Sequence, residues 1–242
     1  MKDTTNINLV IDIGNTSIKV GLFDKNILVE KKILESIDHL LSVISGHRGP
    51  VILSNVGDQS LTDKVLIEYP DTVVLSLDIE LPITLNYNTP DTFGLDRVAA
   101  CCGAITINDA PCLVVDIGTC MTLDIINSNN QFLGGNISPG PVLRFRAMNN
   151  FTASLPLEDL NEESALIGKS TSEALQSGVK FGIIHEIQGL YQELKIQDDK
   201  FQLVLTGGYS TFFDSKLKES IFVEPNLVLI GLNTILNCNV KK

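Results

Sequence analysis

The sequence predicts an α/β protein of two related lobes, each a mixed sheet flanked by helices. Three observations predict it. "LVIDIGNTSIKVGLFDKN", Leu9 to Asn26, reads as an apolar strand, a tight turn, an alternating strand and a polar turn. "CLVVDIGTCMTLDIINSNN", Cys112 to Asn130, repeats that order about a hundred residues later. Each half then holds a second buried strand with a small polar exit, "ILSN" from Ile52 and "LVLTGG" from Leu203. The copies divide the chain into residues 1–108 and 109–242, and no low-complexity linker separates them. Two facing lobes of this kind are expected to bring both turns to one cleft.

The elements follow in order. "INLVIDIG", "SIKVGLF" and "ILVEKKI" form an antiparallel meander, and "SIDHLLSVIS" (Ser36–Ser45) has helical spacing. "PVILSNV" is a buried strand, "TDKVLIEYP" a short helix and "TVVLSL" a strand. "LPITLNYNTPDTFGLDRVAACCGAI" runs extended as far as Pro90 and then enters a helix near Thr92. In the second half "CLVVDIG", "MTLDIIN" and "QFLGGNIS" are strands. Helices follow "PGP" and run from Ser170 to Lys195, "FQLVLTGGYS" is a strand, and "NLVLIGLNTILNCNV" is a closing helix.

Composition limits the function. The chain has 242 residues, 44% hydrophobic, which suits globular cores of Ile, Leu and Val. A net charge of −11 repels phosphate backbones, so neither nucleic acid nor an anionic membrane surface is an expected partner. No apolar run reaches the length of a spanning helix, and the polar "MKDTTNIN" start carries no signal peptide. The five cysteines form no CxxC, disulfide framework or zinc pattern, which suits a reducing, cytoplasmic setting; Cys120 is expected to be a packing residue.

The chemistry lies in the turns. A glycine after a strand lets the backbone approach a phosphate, and the next amides and hydroxyls donate to its oxygens. An aspartate at the same exit suits Mg²⁺, directly or through water. Lys19 is placed to aim its ammonium at the same anion. There is no GxxxxGK[ST] and no GxGxxG, so a site built from two hairpins remains. Ser170 and Glu173 fit a capping box that starts a helix at Thr171, and a helix start suits an anion. Arg144 and Arg146 are read either as a bidentate clamp or as a solvated pair. His39, His47 and His185 have no partner pattern and are read as structural.

In these motifs the chain resembles the actin and sugar-kinase superfamily, which implies ribonuclease H-like lobes. Within it the chain resembles the type III pantothenate kinases. The resemblance rests on "DIGNTSIK" (Asp12–Lys19), "GLDR" (Gly94–Arg97), "DIGTCMTLD" (Asp116–Asp124), "GGNISPG" (Gly134–Gly140), "IGKSTSEALQSG" (Ile167–Gly178) and "LTGG" (Leu205–Gly208), in order over essentially the whole chain. It implies ATP-dependent phosphorylation of pantothenate to 4′-phosphopantothenate, the first step of coenzyme A biosynthesis, by a homodimer with its substrate pocket near the dimer interface.

Residue by residue, it implies that Asp12, Ile13, Gly14, Asn15, Thr16, Ser17, Ile18 and Lys19 cradle ATP phosphates, with Asp12 near Mg²⁺. Thr119 would add a phosphate contact, and Gly207 and Gly208 would pass the adenosine. Asp116 would sit at a monovalent cation, K⁺ or NH₄⁺. Tyr87, Gly94, Leu95, Asp96 and Arg97 would line the pantothenate pocket, with Asp96 as the base, and Thr171 would contact the same substrate. The family often has Asn before that threonine, where this chain has Ser170. The rival readings are another small-molecule kinase of the superfamily and a non-catalytic nucleotide-binding regulator.

Overall fold

The computed structural model describes residues 6–14, 17–108, 111–217 and 221–240. In chain order the first half contains β1 (Ile7–Ile13), β2 (Ile18–Asp24), β3 (Ile27–Leu34), α1 (Ile37–Ile44), β4 (Val51–Asn55), α2 (Gln59–Glu68), β5 (Val73–Val74), β6 (Thr84–Leu85) and α3 (Leu95–Ile107). The remainder contains β7 (Cys112–Ile117), β8 (Cys120–Ile126), β9 (Gln131–Pro139), α4 (Pro141–Phe151), α5 (Thr171–Gln197), β10 (Gln202–Thr206), α6 (Ser210–Asp214), β11 (Ile221–Val223) and α7 (Leu227–Asn239).

The internal repeat has a structural counterpart. One sheet runs β3-β2-β1-β4-β5, and the other contains β9-β8-β7-β10-β11, the same order of hairpin and parallel crossover. In the first sheet Asp12 stands opposite Lys19 on β2 and Ser54 on β4. In the second, Asp116 stands opposite Thr122 on β8 and Thr206 on β10. Both aspartates therefore occupy the carboxyl end of a central strand, where α/β folds present ligand-binding groups.

The chain divides into two compact units: residues 1–109 with 130–132 and 226–242, and residues 110–129 with 133–225. The sequence placed the closing helix with the second half, whereas α7 completes the first unit. The physical reason is the two-sided burial of β1. Leu9, Ile11 and Ile13 pack with Leu40, Ile44, Val51, Leu53 and Val65 on one face. Alternation sends Asn8, Val10 and Asp12 to the other, the side on which α7 packs. Asn8 Nδ2 donates to Oδ1 of Asn233 at 2.8 Å and of Asn237 at 2.9 Å, fixing α7 over the strand.

Two glycines set how closely α3 and α7 pack. A Cβ on Gly231 would overlap the Ala99 carbonyl and stand 2.7 Å from the Gly103 nitrogen; one on Gly103 would overlap the Leu227 carbonyl. Backbone cannot yield as a side chain does. Gly231→Ala is expected to cost about 3 kcal/mol, the upper end for overpacking, or roughly 6–12 °C of Tm at this chain size. Gly178→Ala, in α5 with nothing near its Cβ position, is the control and should leave Tm unchanged or higher. Equal melting of the two variants would refute this account of the crossing.

The second unit is built around Leu113, Val115, Ile117, Phe145, Ile183, Ile187, Leu203, Leu205 and Phe213. Burial pushes the Cys102 thiol up and the Cys112 thiol up to about 12, so both are packing groups. Among the described residues no helix is long and apolar enough to cross a membrane.

Candidate functional site

In the first unit the turn after β1 is closed by the Gly14 amide donating to the Ser17 carbonyl at 3.1 Å. Asn15 and Thr16 lie outside the described residues. Asp12 is only 5% exposed, and its nearest cation is Lys19 Nζ at 3.7 Å. Desolvation by burial raises its carboxyl above the ordinary range. Lys19 pulls it back, and Asp96 pushes it up again. Asp96 thus lies within electrostatic reach of Asp12, although 84 positions separate them in sequence. Lys19 remains part-exposed beside the turn, where its ammonium can also serve an anion.

Asp96 is exposed and sits in the first turn of α3, as its sequence position implies. Its Oδ1 accepts from the Arg97 amide at 2.9 Å. The helix starts later than expected, because a 3-10 turn at Pro90–Thr92 precedes the Gly94 cap. A Cβ on Gly94 would stand 2.7 Å from Asp96 Oδ1, so the glycine leaves this carboxylate its place.

Arg97 points elsewhere. It is 5% exposed, and its guanidinium lies 4.8 Å from the Phe93 ring, 5.6 Å from Phe132 and 5.9 Å from Tyr87. Cation–π attraction and the packed rings hold the Tyr87 and Gly94 segments together. Leu95, the first residue of α3, is half-buried.

In the second unit Asp116 is half-buried and Thr119 exposed. Gly207, at φ +90°, turns the chain after β10 so closely that a Cβ there would overlap Asp116 Oδ1. The Tyr209 amide then donates to the Ile117 carbonyl at 3.0 Å, joining the Gly207-Gly208 turn to the Asp116 turn. The Gly140 amide donates to the Thr119 carbonyl at 3.0 Å, and a Cβ on Gly140 would overlap Gly118. Contrary to the packing role expected of it, Cys120 is exposed.

Thr171 opens α5 and is exposed. Ser170 Oγ accepts from the Glu173 amide at 3.2 Å, as the capping box requires. The Glu173 carboxylate reaches one residue further back than that motif usually does, to the Lys169 amide at 2.7 Å. The amides of Thr171 and Ser172, at the first two helical positions, have no carbonyl a turn earlier to bond. Arg144 is no anion clamp: it donates to Ser138 Oγ and the Pro139 carbonyl, each at 2.8 Å, and pairs with Glu186.

The sequence marked "ILSN" as a polar strand exit but gave Ser54 no role. The structure places its hydroxyl opposite Asp12, fully buried and without a hydrogen-bond partner. A desolvated carboxylate beside an orphaned hydroxyl is an all-oxygen pair that fits a hydrated Mg²⁺. Among the described residues no group of three or more His, Cys, Asp or Glu converges on a metal position. Mg²⁺ here would take its remaining ligands from water and phosphate, as it does in kinases.

A central-strand aspartate at a strand exit, repeated on two sheets of the same order, defines an actin-like fold. A glucokinase from an Antarctic psychrotroph shares it, with a TM-score of 0.55 at 12% identity over 96% of this chain and 99% of that one. A Campylobacter jejuni protein described as a Baf family transcriptional activator matches at a TM-score of 0.65 and 26% identity, over 95% of this chain and 97% of its own. The family model for type III pantothenate kinase matches residues 8–193. Type III pantothenate kinases of Cytophaga hutchinsonii and Bacteroides fragilis are 41% and 39% identical, over 97% and 96% of this chain and 100% and 98% of theirs. The chain belongs to the type III pantothenate kinase family.

Proposed function

We propose that this protein transfers the γ-phosphoryl group of ATP to the primary hydroxyl of pantothenate, giving 4′-phosphopantothenate on the way to coenzyme A. The observation that carries the reading is the pair of carboxylates in the first unit. Asp12 is buried and suited to a cation, and Asp96 is exposed at a helix start within its electrostatic reach. One carboxylate serves the metal side of a phosphoryl transfer and the other the acceptor side.

The turn from Ile13 to Lys19 holds the phosphates, with the Gly14–Ser17 bond fixing its backbone. Asp12 and Ser54 would hold a hydrated Mg²⁺, which when bound would supply charge neutralisation at the phosphates. Asp96 takes the proton of the pantothenate hydroxyl as the new oxygen–phosphorus bond forms, the bond to the β-phosphate breaks and ADP leaves. In a loose transition state that proton leaves late, so the placement of Asp96 matters more than its basicity. Arg97, buried among Tyr87, Phe93 and Phe132, sets the position of Gly94–Asp96.

In the second unit Thr119 donates to phosphate, and the Gly207-Gly208 turn lies along the adenosine. Asp116 and the turn carbonyls offer the oxygen donors that K⁺ or NH₄⁺ takes. The start of α5 at Thr171 binds the pantothenate carboxylate. The enzyme acts as a cytoplasmic homodimer.

The test is ADP release from MgATP with and without pantothenate, in K⁺ and in Na⁺, alongside sedimentation. Pantothenate-dependent turnover that needs K⁺, from a dimer, is the expected result. ADP release that requires another alcohol as phosphoryl acceptor, and not pantothenate, would move the chain to a different acceptor. Nucleotide binding without any turnover would make it a regulator.

A further inference from the structure

Between α4 and α5, residues 152–170 contain no helix or strand. Ordering a segment of that length costs conformational entropy, and something must offset it. The face of α5 that follows does so. Gln176 Nε2 donates to Glu158 Oε2 at 2.8 Å, and Ser177 Oγ to the Leu166 carbonyl at 2.6 Å. The central contact is Lys180, 5% exposed. Its Nζ donates to the carbonyls of Glu162 at 2.6 Å, Ser164 at 3.1 Å and Asn161 at 3.4 Å.

An ammonium has three donors, and here all three go to one loop. A buried cation is costly unless such partners replace its water. A second cation assists from outside: Lys216 Nζ meets the Glu162 carboxylate at 2.6 Å. Beyond Leu166 only a few residues remain before the helix start. There Gly168 lies against Glu173 and Ala174 so closely that a Cβ would overlap their backbone. The placement of Lys169, Ser170 and Thr171 therefore depends on where residues 161–166 are fastened.

We propose that Lys180 is a positioning residue for the pantothenate end of the site, its ammonium fastening the 161–166 loop and so setting the geometry at Ser170-Thr171. This rests on the reading of Thr171 as a pantothenate contact. The proposal concerns only the acceptor, so it separates the two substrates.

The test uses the full-length protein, with Lys180→Met, Lys180→Gln and Lys216→Met, in steady-state kinetics and amide hydrogen exchange. Lys180→Met should raise the pantothenate KM about tenfold or more, as the loss of charge-assisted hydrogen bonds implies, and leave kcat within about threefold. The ATP KM should not change, and amides over residues 158–170 should exchange faster. Lys180→Gln, with two donors, should recover part of the loss and replaces the Met variant if that does not fold. Lys216→Met should have the smaller effect, because its partner is the exposed Glu162 side chain.

Unchanged exchange, faster exchange with an unchanged pantothenate KM, or an equal rise in both KM values would each overturn the proposal. Wild-type protein that turns over no pantothenate would remove the substrate reading along with it. Normal wild-type turnover with unresponsive variants would remove this inference alone.

Discussion

Asp96→Asn is expected to lower kcat for pantothenate phosphorylation by about 10²–10⁴-fold, the range a positioned general base contributes. Both KM values should stay within about threefold, because the amide has the carboxylate's shape and can still accept from the Arg97 amide. The fold should be untouched, since the side chain is exposed and its removal leaves no buried group unpaired. The melting temperature should therefore stay close to the wild-type value. Steady-state kinetics with a coupled ADP readout checks the rate, and a thermal melt checks the fold. A variant keeping more than about a tenth of wild-type kcat would show that Asp96 only starts the helix.

Asp12→Asn is expected to do something less intuitive, abolishing turnover while making the free protein more stable. The wild-type carboxylate is buried, the Lys19 ammonium is 3.7 Å away, and burial outweighs that cation in raising its pKa. The sign follows from linkage. In the unfolded chain Asp12 loses its proton near pH 4. In the folded protein it holds the proton to higher pH, so stability falls as pH rises from the unfolded pKa through the folded one. Below that window the group costs nothing; above it the full cost applies.

A neutral amide of the same shape removes it. A gain of about 1 kcal/mol at pH 7 is the usual size for relief of this kind, or roughly 2–4 °C. Melts from pH 4 to pH 8 should show the wild type losing ground to the variant as pH rises. MgATP should then raise the wild-type melting temperature more than the variant's, since only the wild type retains the cation ligand. Turnover should drop by at least about 10³-fold, the scale of several kcal/mol of charge stabilisation. Parallel pH curves would contradict the account of Asp12 as a desolvated carboxylate.

Periodicity and punctuation made much of the fold legible. The Asp12 and Asp116 turns were visible because an apolar strand ending in Asp-x-Gly breaks its own pattern twice in one chain. Asp96 was placed in the first turn of a helix by Pro90 and by the apolar spacing after it. What depended on distant partners was not visible in this way. Phe132 reaches the Arg97 ring cluster only because β9 begins by pairing with β6. Ser54 looked like any strand exit until the ladder register set it opposite Asp12. Arg144 carried the right chemistry for an anion, but Ser138, Pro139 and Glu186 already use its donors. Lys180 stood unremarked in a helical run, since nothing local shows that three carbonyls from the preceding loop will close on it.

The return of α7 to the first unit has a consequence for synthesis. A ribosome makes residues 1–109 first, yet the helix fixed to Asn8 of β1 emerges only after the whole of the second unit. Until then that face of β1 lacks α7, while residues 110–129 and 133–225 are already outside and free to collapse on their own core. The second unit is thus the one able to mature first during translation, and the first must wait for α7. Loss of α7 would spare every residue assigned to ATP or pantothenate and still leave Asn8, near the start of β1, without the two asparagines that accept its amide.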